Sequence, residues 1–349
     1  MFRPTGRRLA ASFGRRRPLS SPLSSEALPR RITPQLAFTV GGAGLAIGGA
    51  AYYTNKDTQD RAASSSIFRR SFGNGLSPSL ARSRFDEAYE RARRFVDKAG
   101  GSRLAVILAE NWLEMGEAKR TAAGLIASFG GVFLLWRLPG RRIGEWLSHN
   151  PLSGKSVTLL TSVFSHRTPM HLAFNSIALY SFGTACFSYL NHSDILPRST
   201  SRYEFLAFFA TAGLVSSFAS HLWFSRVVAG RLLRQLPPQA VKAMMLPSLG
   251  ASGAVYGCVA LTALAFPETS VSLIFLPFFP IPIGAATATL VAVDLVGLIR
   301  GWRMFDHAAH LAGAVSGAAW YAYGHAWFER LRLAMWTGEK EKRRLVTVR

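Results

Sequence analysis

The stretch PSLGASGAVYG, residues 247–257, places Ser252 among glycines and alanines at the start of an apolar run. A hydroxyl in that setting is either a spacer that lets two helices touch or a nucleophile. Serine is a weak nucleophile until a base takes its proton, and at neutral pH the usual base is a histidine. Three other polar side chains stand near the beginnings of apolar runs: His171, Asn175 and His310. His171 and Asn175, four apart, share one side of a helix, and so do Ser252 and Tyr256. A base, a nucleophile, the free N–H groups of a helix start and amide or imidazole donors are what acyl transfer needs to form and stabilise an oxyanion. No carboxylate offers itself as a third member. Asp294 reads as lying deep toward the far end of its span, and Asp306 stands at the mouth of the next, so a Ser–His dyad is expected. HAAH at 307–310 is also compatible with two metal ligands on one helix face. It lacks an HExxH string and further ligands, so neither a metal nor a cofactor is expected.

The elements that must position these groups read as membrane helices. Of the 349 residues, 49% are hydrophobic, and they gather in runs of about 20, the length that crosses a bilayer. Spans are predicted near 120–136, 171–190, 204–224, 252–267, 283–299 and 307–326, preceded by an isolated span at 35–54. In that first span Gly44 and Gly48 offer a small-residue seam for packing against another helix. The second, fourth and sixth spans of the bundle start from one membrane face, which puts His171, Asn175, Ser252 and His310 at similar depth. The piece 137–170 has too many charges to span and enough Trp and Leu to lie at the interface. The Phe- and Pro-containing loop 268–282 is expected to be an apolar lid near the bilayer. The fold class is therefore all-α and polytopic, a six-helix bundle plus one additional N-terminal transmembrane helix.

Charge sits outside these spans. The chain carries a formal +22, which first suggests nucleic acid. The arginines, however, lie in the N-terminal tail, short loops and C-terminal tail, and no nucleic-acid motif interleaves them, so no nucleic-acid partner is expected. The first 31 residues hold eight arginines, several serines and one acid, Glu26. That composition is that of a mitochondrial transit peptide, assigned to 1–34. Residues 35–54 then form the N-terminal transmembrane helix and 55–118 a polar linker, including the charged helical patch at 84–100. Residues 119–328 form the catalytic membrane domain and 329–349 a basic tail. Cys186 and Cys258 read as small packing residues, since two cysteines inside apolar runs build no disulfide framework or zinc site.

At these residues the sequence resembles the rhomboid family of intramembrane serine proteases, in its mitochondrial branch. FSHRTPMHLAFNSIALYSFG resembles the second-helix motif, which implies oxyanion donors at His171 and Asn175. GASGAVYG resembles the fourth-helix motif. It implies that Ser252 is the nucleophile, that Gly250 belongs to the oxyanion and substrate-binding group, and that Tyr256 packs against the catalytic ring. DHAAHLAGAVSG resembles the sixth-helix motif, implying His310 rather than His307 as the base and close approach at Gly313 and Gly317. LLWRLPG, LPFFPIPIG and AVDLVG also look like the mitochondrial branch. The resemblance implies a multi-pass protein of the mitochondrial inner membrane, with the lipid bilayer and single-pass transmembrane substrates as partners, a dynamin-like fusion GTPase and imported precursors among them. The competing class, a catalytically inactive rhomboid-like chaperone or scaffold, is marked by loss of the serine or histidine, and here both are present.

Overall fold

The computed structural model describes residues 31–72, 90, 94, 103–138, 143–193, 195–273, 276–302 and 304–337. The transit-peptide assignment through residue 30, most of the 84–100 patch and the tail beyond 337 lie outside them. Helix α1 is Thr33–Phe72. It outruns the end predicted at 54 because no Gly or Pro interrupts the chain between residues 50 and 72. A shorter helix α2, Arg103–Glu114, precedes α3, Glu117–Leu135. Helix α4 begins at Pro169–Ala178 and continues through a wider turn, Leu179–Gly183, into Thr184–Leu190. Helix α5 is Arg202–Trp223, prolonged through Phe224–Val228 and Ala229–Leu233. The last three are α6, Ser252–Ala265; α7, Ile283–Arg300; and α8, His307–Ala319, prolonged through Trp320–Gly324 and His325–Ala334.

Four helical stretches among the described residues are long and apolar enough to cross a membrane: Thr33–Arg61, Glu117–Leu135, Arg202–Leu233 and Ile283–Arg300. Helix α6 is different. Its 14 residues reach only about 21 Å at 1.5 Å per residue, against a hydrocarbon layer about 30 Å thick. It is also the most enclosed helix, buried from Gly253 to Val255 and from Gly257 to Thr262, as expected for a helix that is apolar on every side. Around it pack Phe129 of α3, Leu179, Cys186 and Phe187 of α4, Phe205, Phe208 and Phe209 of α5, and Trp320. Helix α1 lies against α5, where Gly42 meets Leu214 and Ala50 and Ala51 cluster with Ala207 and Phe328. Gly44 and Gly48 have no neighbour within 4 Å of where a Cβ would stand, so the predicted small-residue seam is not the contact.

The loop expected as an apolar lid folds as a two-stranded antiparallel hairpin. Strand β1, Ser270–Leu273, pairs with β2, Leu276–Pro282, with Ser270 opposite Pro282 and Val271 opposite Ile281. Branched and aromatic residues favour extended backbone, and a two-stranded ribbon tolerates its prolines because each strand has a free edge. Phe278 and Phe279 project from it, 89% and 68% exposed.

At the end of the bundle remote from Ser252, charges are buried in a closed set. Arg198 Nη1 lies 2.7 Å from Glu204 Oε2, and Arg198 also pairs with Glu329. Arg332 Nη1 stands 2.9 Å from Glu329 Oε1. Asn55 of α1 joins by donating to the Arg332 carbonyl at 2.8 Å and accepting from Arg332 Nε at 3.0 Å. Two cations and two anions with every side chain nearly inaccessible hold α1, α8 and the start of α5 together. Removal of one member of such a buried set costs about 3–5 kcal/mol because a charge is left unpaired. Glu329→Ala should therefore lower the melting temperature strongly while turnover per folded molecule stays near that of the wild type.

The 143–168 segment is anchored by His149. Its backbone exchanges hydrogen bonds of 2.8 and 3.0 Å with Ser248. Its ring is fixed by Thr158 Oγ1 at 2.8 Å and His221 Nδ1 at 3.0 Å. Burial, and then the neighbouring His221, pull its pKa down from 6.5 to about 3. Between those values the unfolded chain binds a proton that the folded one refuses, so this contribution to stability is complete above pH 6.5 and is lost as pH falls toward 3. Thermal melts should show a lower midpoint at pH 5 than at pH 7.5, with a shallower dependence in His149→Asn; equal wild-type midpoints would contradict it.

Candidate active site

A serine and a histidine on two helices meet only if the backbones come close, and α6 and α8 do so through paired glycines. A Cβ on Gly313 would run into the carbonyl of Gly253, and one on Gly317 into the carbonyl of Gly257, one turn further along. Only hydrogen fits at these two levels. Above this seam Ser252 Oγ lies 2.9 Å from His310 Nε2. Tyr256, one turn along from Ser252, stacks its ring on His310 with centroids 4.3 Å apart and planes inclined by 13°. One face of the His310 ring is thereby held against an aromatic plane.

The other ring nitrogen reverses one expectation. His310 Nδ1 lies 3.1 Å from Asp294 Oδ1 and 3.3 Å from Oδ2, so a carboxylate is present where a dyad was expected. Asp294 does sit near the end of α7, but α7 and α8 are antiparallel and joined by the short 301–306 connection. The end of the fifth span and the start of the sixth therefore share a face, and Asp294 is at the level of the site. Gly301, with φ of 71°, makes the left-handed turn that closes α7. His307, the other histidine of HAAH, gives its Nδ1 to the same Asp294 Oδ1 at 2.5 Å. Among the described residues no group of three or more His, Cys, Asp or Glu side chains has an arrangement that could hold a metal ion. The shared carboxylate fixes the tautomer: with Nδ1–H donated to Asp294, His310 Nε2 is left bare to accept the Ser252 proton.

Of the predicted oxyanion residues, His171 reaches the loop that leads into the serine. Gly250 has φ of 130°, and a Cβ there would stand 2.7 Å from the His171 ring. The ring therefore covers the backbone two residues before Ser252. Thr168 caps α4 by accepting from His171 N at 3.1 Å, and Pro169 follows in the first turn. Buried His166 packs edge-on to His171 with centroids 5.0 Å apart, and burial lowers its pKa to about 4, leaving it neutral at physiological pH. Asn175 is buried one turn below, its amide donating to the His171 carbonyl at 2.9 Å; one of its two N–H bonds is thus used within α4. The remaining donors are the first N–H groups of α6, which have no partner within the helix.

The chain that delivers Ser252 is non-helical, and its polar backbone is met by protein. Gly250 N donates to Ser162 O at 3.0 Å, and Arg167 Nη2 to Pro247 O at 3.2 Å. A cavity of about 20 Å³ adjoins the serine, with Ser216, Ser217, Ser248 and Asp306 on its walls. That volume holds one water, and the buried Ser216 Oγ, without a protein partner, is a polar group to receive it.

A family model described as Rhomboid domain matches residues 153–327. The mitochondrial presenilin-associated rhomboid-like protein of Rattus norvegicus is 31% identical over 299 residues, 85% of this chain and 68% of that protein. Its Homo sapiens counterpart is also 31% identical over 299 residues, covering 85% and 67%. The mitochondrial rhomboid protein 1 of Saccharomyces cerevisiae is 33% identical over 199 residues, covering 54% and 49%. With its helical bundle and several membrane-spanning helices, the chain is a multi-pass mitochondrial membrane protein and belongs to the rhomboid family.

Proposed function

We propose that the protein is an intramembrane serine endopeptidase that cleaves single-pass proteins of the mitochondrial inner membrane within or near their transmembrane helices. Rhomboid proteases act on membrane-protein substrates within the lipid bilayer, although some family members are inactive. The observation that carries the active reading is the 2.9 Å contact from Ser252 Oγ to His310 Nε2 at the start of a buried helix. An inactive scaffold has no use for a correctly tautomerised base beside a serine.

In the proposed reaction Ser252 Oγ attacks the scissile carbonyl as His310 Nε2 takes its proton. The oxyanion accepts from the first N–H groups of α6, with His171 and Asn175 as further donors. His310 then gives its proton to the leaving amine, leaving an acyl-enzyme on Ser252. Water, deprotonated by His310, hydrolyses that ester and restores the serine. Asp294 holds the ring and offsets the imidazolium, so the unit works as a triad. A substrate helix must first unwind, because its carbonyls are bonded to its own amides. The exposed Phe278 and Phe279 suit a hairpin that stays in contact with lipid beside the entry path. A dynamin-like fusion GTPase and imported precursors fit this class of single-pass substrate.

Ser252→Ala and His310→Ala should each abolish cleavage in purified detergent samples, and the double variant should be little worse than either. Asp294→Asn separates triad from dyad. It presents the wrong hydrogen-bond partner to Nδ1 and should lower turnover by about 10²- to 10⁴-fold, as for an amide in a triad carboxylate's place. Unchanged turnover in Asp294→Asn would return the site to a dyad, and cleavage retained by Ser252→Ala would remove the nucleophile.

A further inference from the structure

Asp306 has no part in the chemistry above, yet its carboxylate joins the elements that carry the nucleophile and the base. Oδ1 accepts from Ala309 N at 3.2 Å, capping α8. Oδ2 accepts from Ser248 Oγ at 2.6 Å and from Ser220 Oγ at 2.5 Å. Asp306 stands four residues before His310, and its carbonyl accepts from His310 N at 3.1 Å. Ser248 stands four residues before Ser252 and is itself held by His149. Ser220 lies on α5, the neighbour of both catalytic helices.

We propose that Asp306 is a positioning residue for proteolysis: its carboxylate pins the first turn of α8 to the Ser248 loop and to α5, and so sets the Ser252–His310 distance. The proposal rests on the serine-protease reading. The need for a pin follows from the seam itself. Gly253, Gly257, Gly313 and Gly317 let the backbones approach, but glycines have no side chains to interlock, so the seam resists separation better than it resists sliding along the helix axes. Asp294 and Tyr256 orient the His310 ring from α7 and α6, and neither holds the start of α8 to the loop that presents the serine. Charge-assisted bonds from hydroxyls to a carboxylate are short and directional, which is what fixing an axial position requires.

The test uses the purified full-length protein, a serine-directed fluorophosphonate probe, cleavage of a single-pass substrate and a thermal melt. Ser248→Ala leaves the α8 cap intact and removes the bridge. It should react with the probe at Ser252 about 10- to 100-fold more slowly than wild type, with kcat lowered by a similar factor and KM changed by less than about two-fold. Asp306→Ala should be at least as slow, and the Ser248→Ala/Asp306→Ala double variant no slower than Asp306→Ala, because both remove one link. Asp306→Asn should recover most of the rate, since its oxygen can cap Ala309 and its amide can donate to both hydroxyls. Wild-type labelling rates per folded molecule in Ser248→Ala would overturn the proposal whatever the melting temperature, and that variant decides even where Asp306→Ala fails to fold. A wild-type protein that is neither labelled at Ser252 nor able to cleave would instead bring down the protease reading, and the proposal with it.

Discussion

Two helix backbones can touch only where neither has side chains, and the paired glycines of α6 and α8 impose that condition on the centre of the protein. Gly253 faces Gly313, and Gly257 faces Gly317. With any larger residue in the seam the helices must separate, and the 2.9 Å contact between Ser252 and His310 is lost. The rest of the bundle accommodates this pair. Phenylalanines of α3 and α5 fill the volume around α6, α7 brings Asp294 to the outer nitrogen of the base, and α4 brings His171 over Gly250.

A second constraint comes from the solvent. Irregular backbone at membrane depth is tolerated where protein or a water-filled cavity satisfies its polar groups. Helix α6 is too short to reach both surfaces, so the chain before it must descend as a loop. His149, Ser162 and Arg167 supply the partners that allow that descent. The same descent places Ser252 below the surface beside a cavity large enough for one water. Short helix, satisfied loop and polar cavity are thus connected consequences of placing a serine–histidine pair inside a bilayer.

The remote end of the bundle follows a different logic. Arg198, Glu204, Glu329 and Arg332 are nearly inaccessible and mutually paired, with Asn55 of the additional helix bonded into the set. Such a set is costly to desolvate and more costly to break, so it specifies which helix ends meet. It secures the α1 helix to the six-helix bundle at the end away from the chemistry. The two ends are therefore built for separate tasks, one for geometry around the Ser252–His310 pair and one for attachment.

Hydrophobic run length was enough to locate the helices, since the predicted spans at 120–136, 171–190 and 283–299 lie within a few residues of α3, α4 and α7. Residue chemistry and four-residue spacing were enough to single out Ser252, Tyr256, His171, Asn175 and His310, because helical periodicity is a local property readable along one chain. Helix α1 past residue 54 and the hairpin at Ser270–Pro282 were hidden for a related reason: polar helices and short ribbons leave weak hydropathy signals. What periodicity lacks is the identity of the facing helix. Asp294 was set aside as deep because it was measured along its own span, whereas the turn at Gly301 returns the chain to the same face and brings the carboxylate to His310. The pairing of Gly253 with Gly313, the joining of Asp306 to Ser220 and Ser248, and the closing of four buried charges on Asn55 likewise depend on contacts between segments distant in the chain. Local sequence determined which residues could do chemistry and at which end of each helix they stand. Tertiary packing decided which of them touch, because distances between helices are set by the side chains, or their absence, on both partners at once.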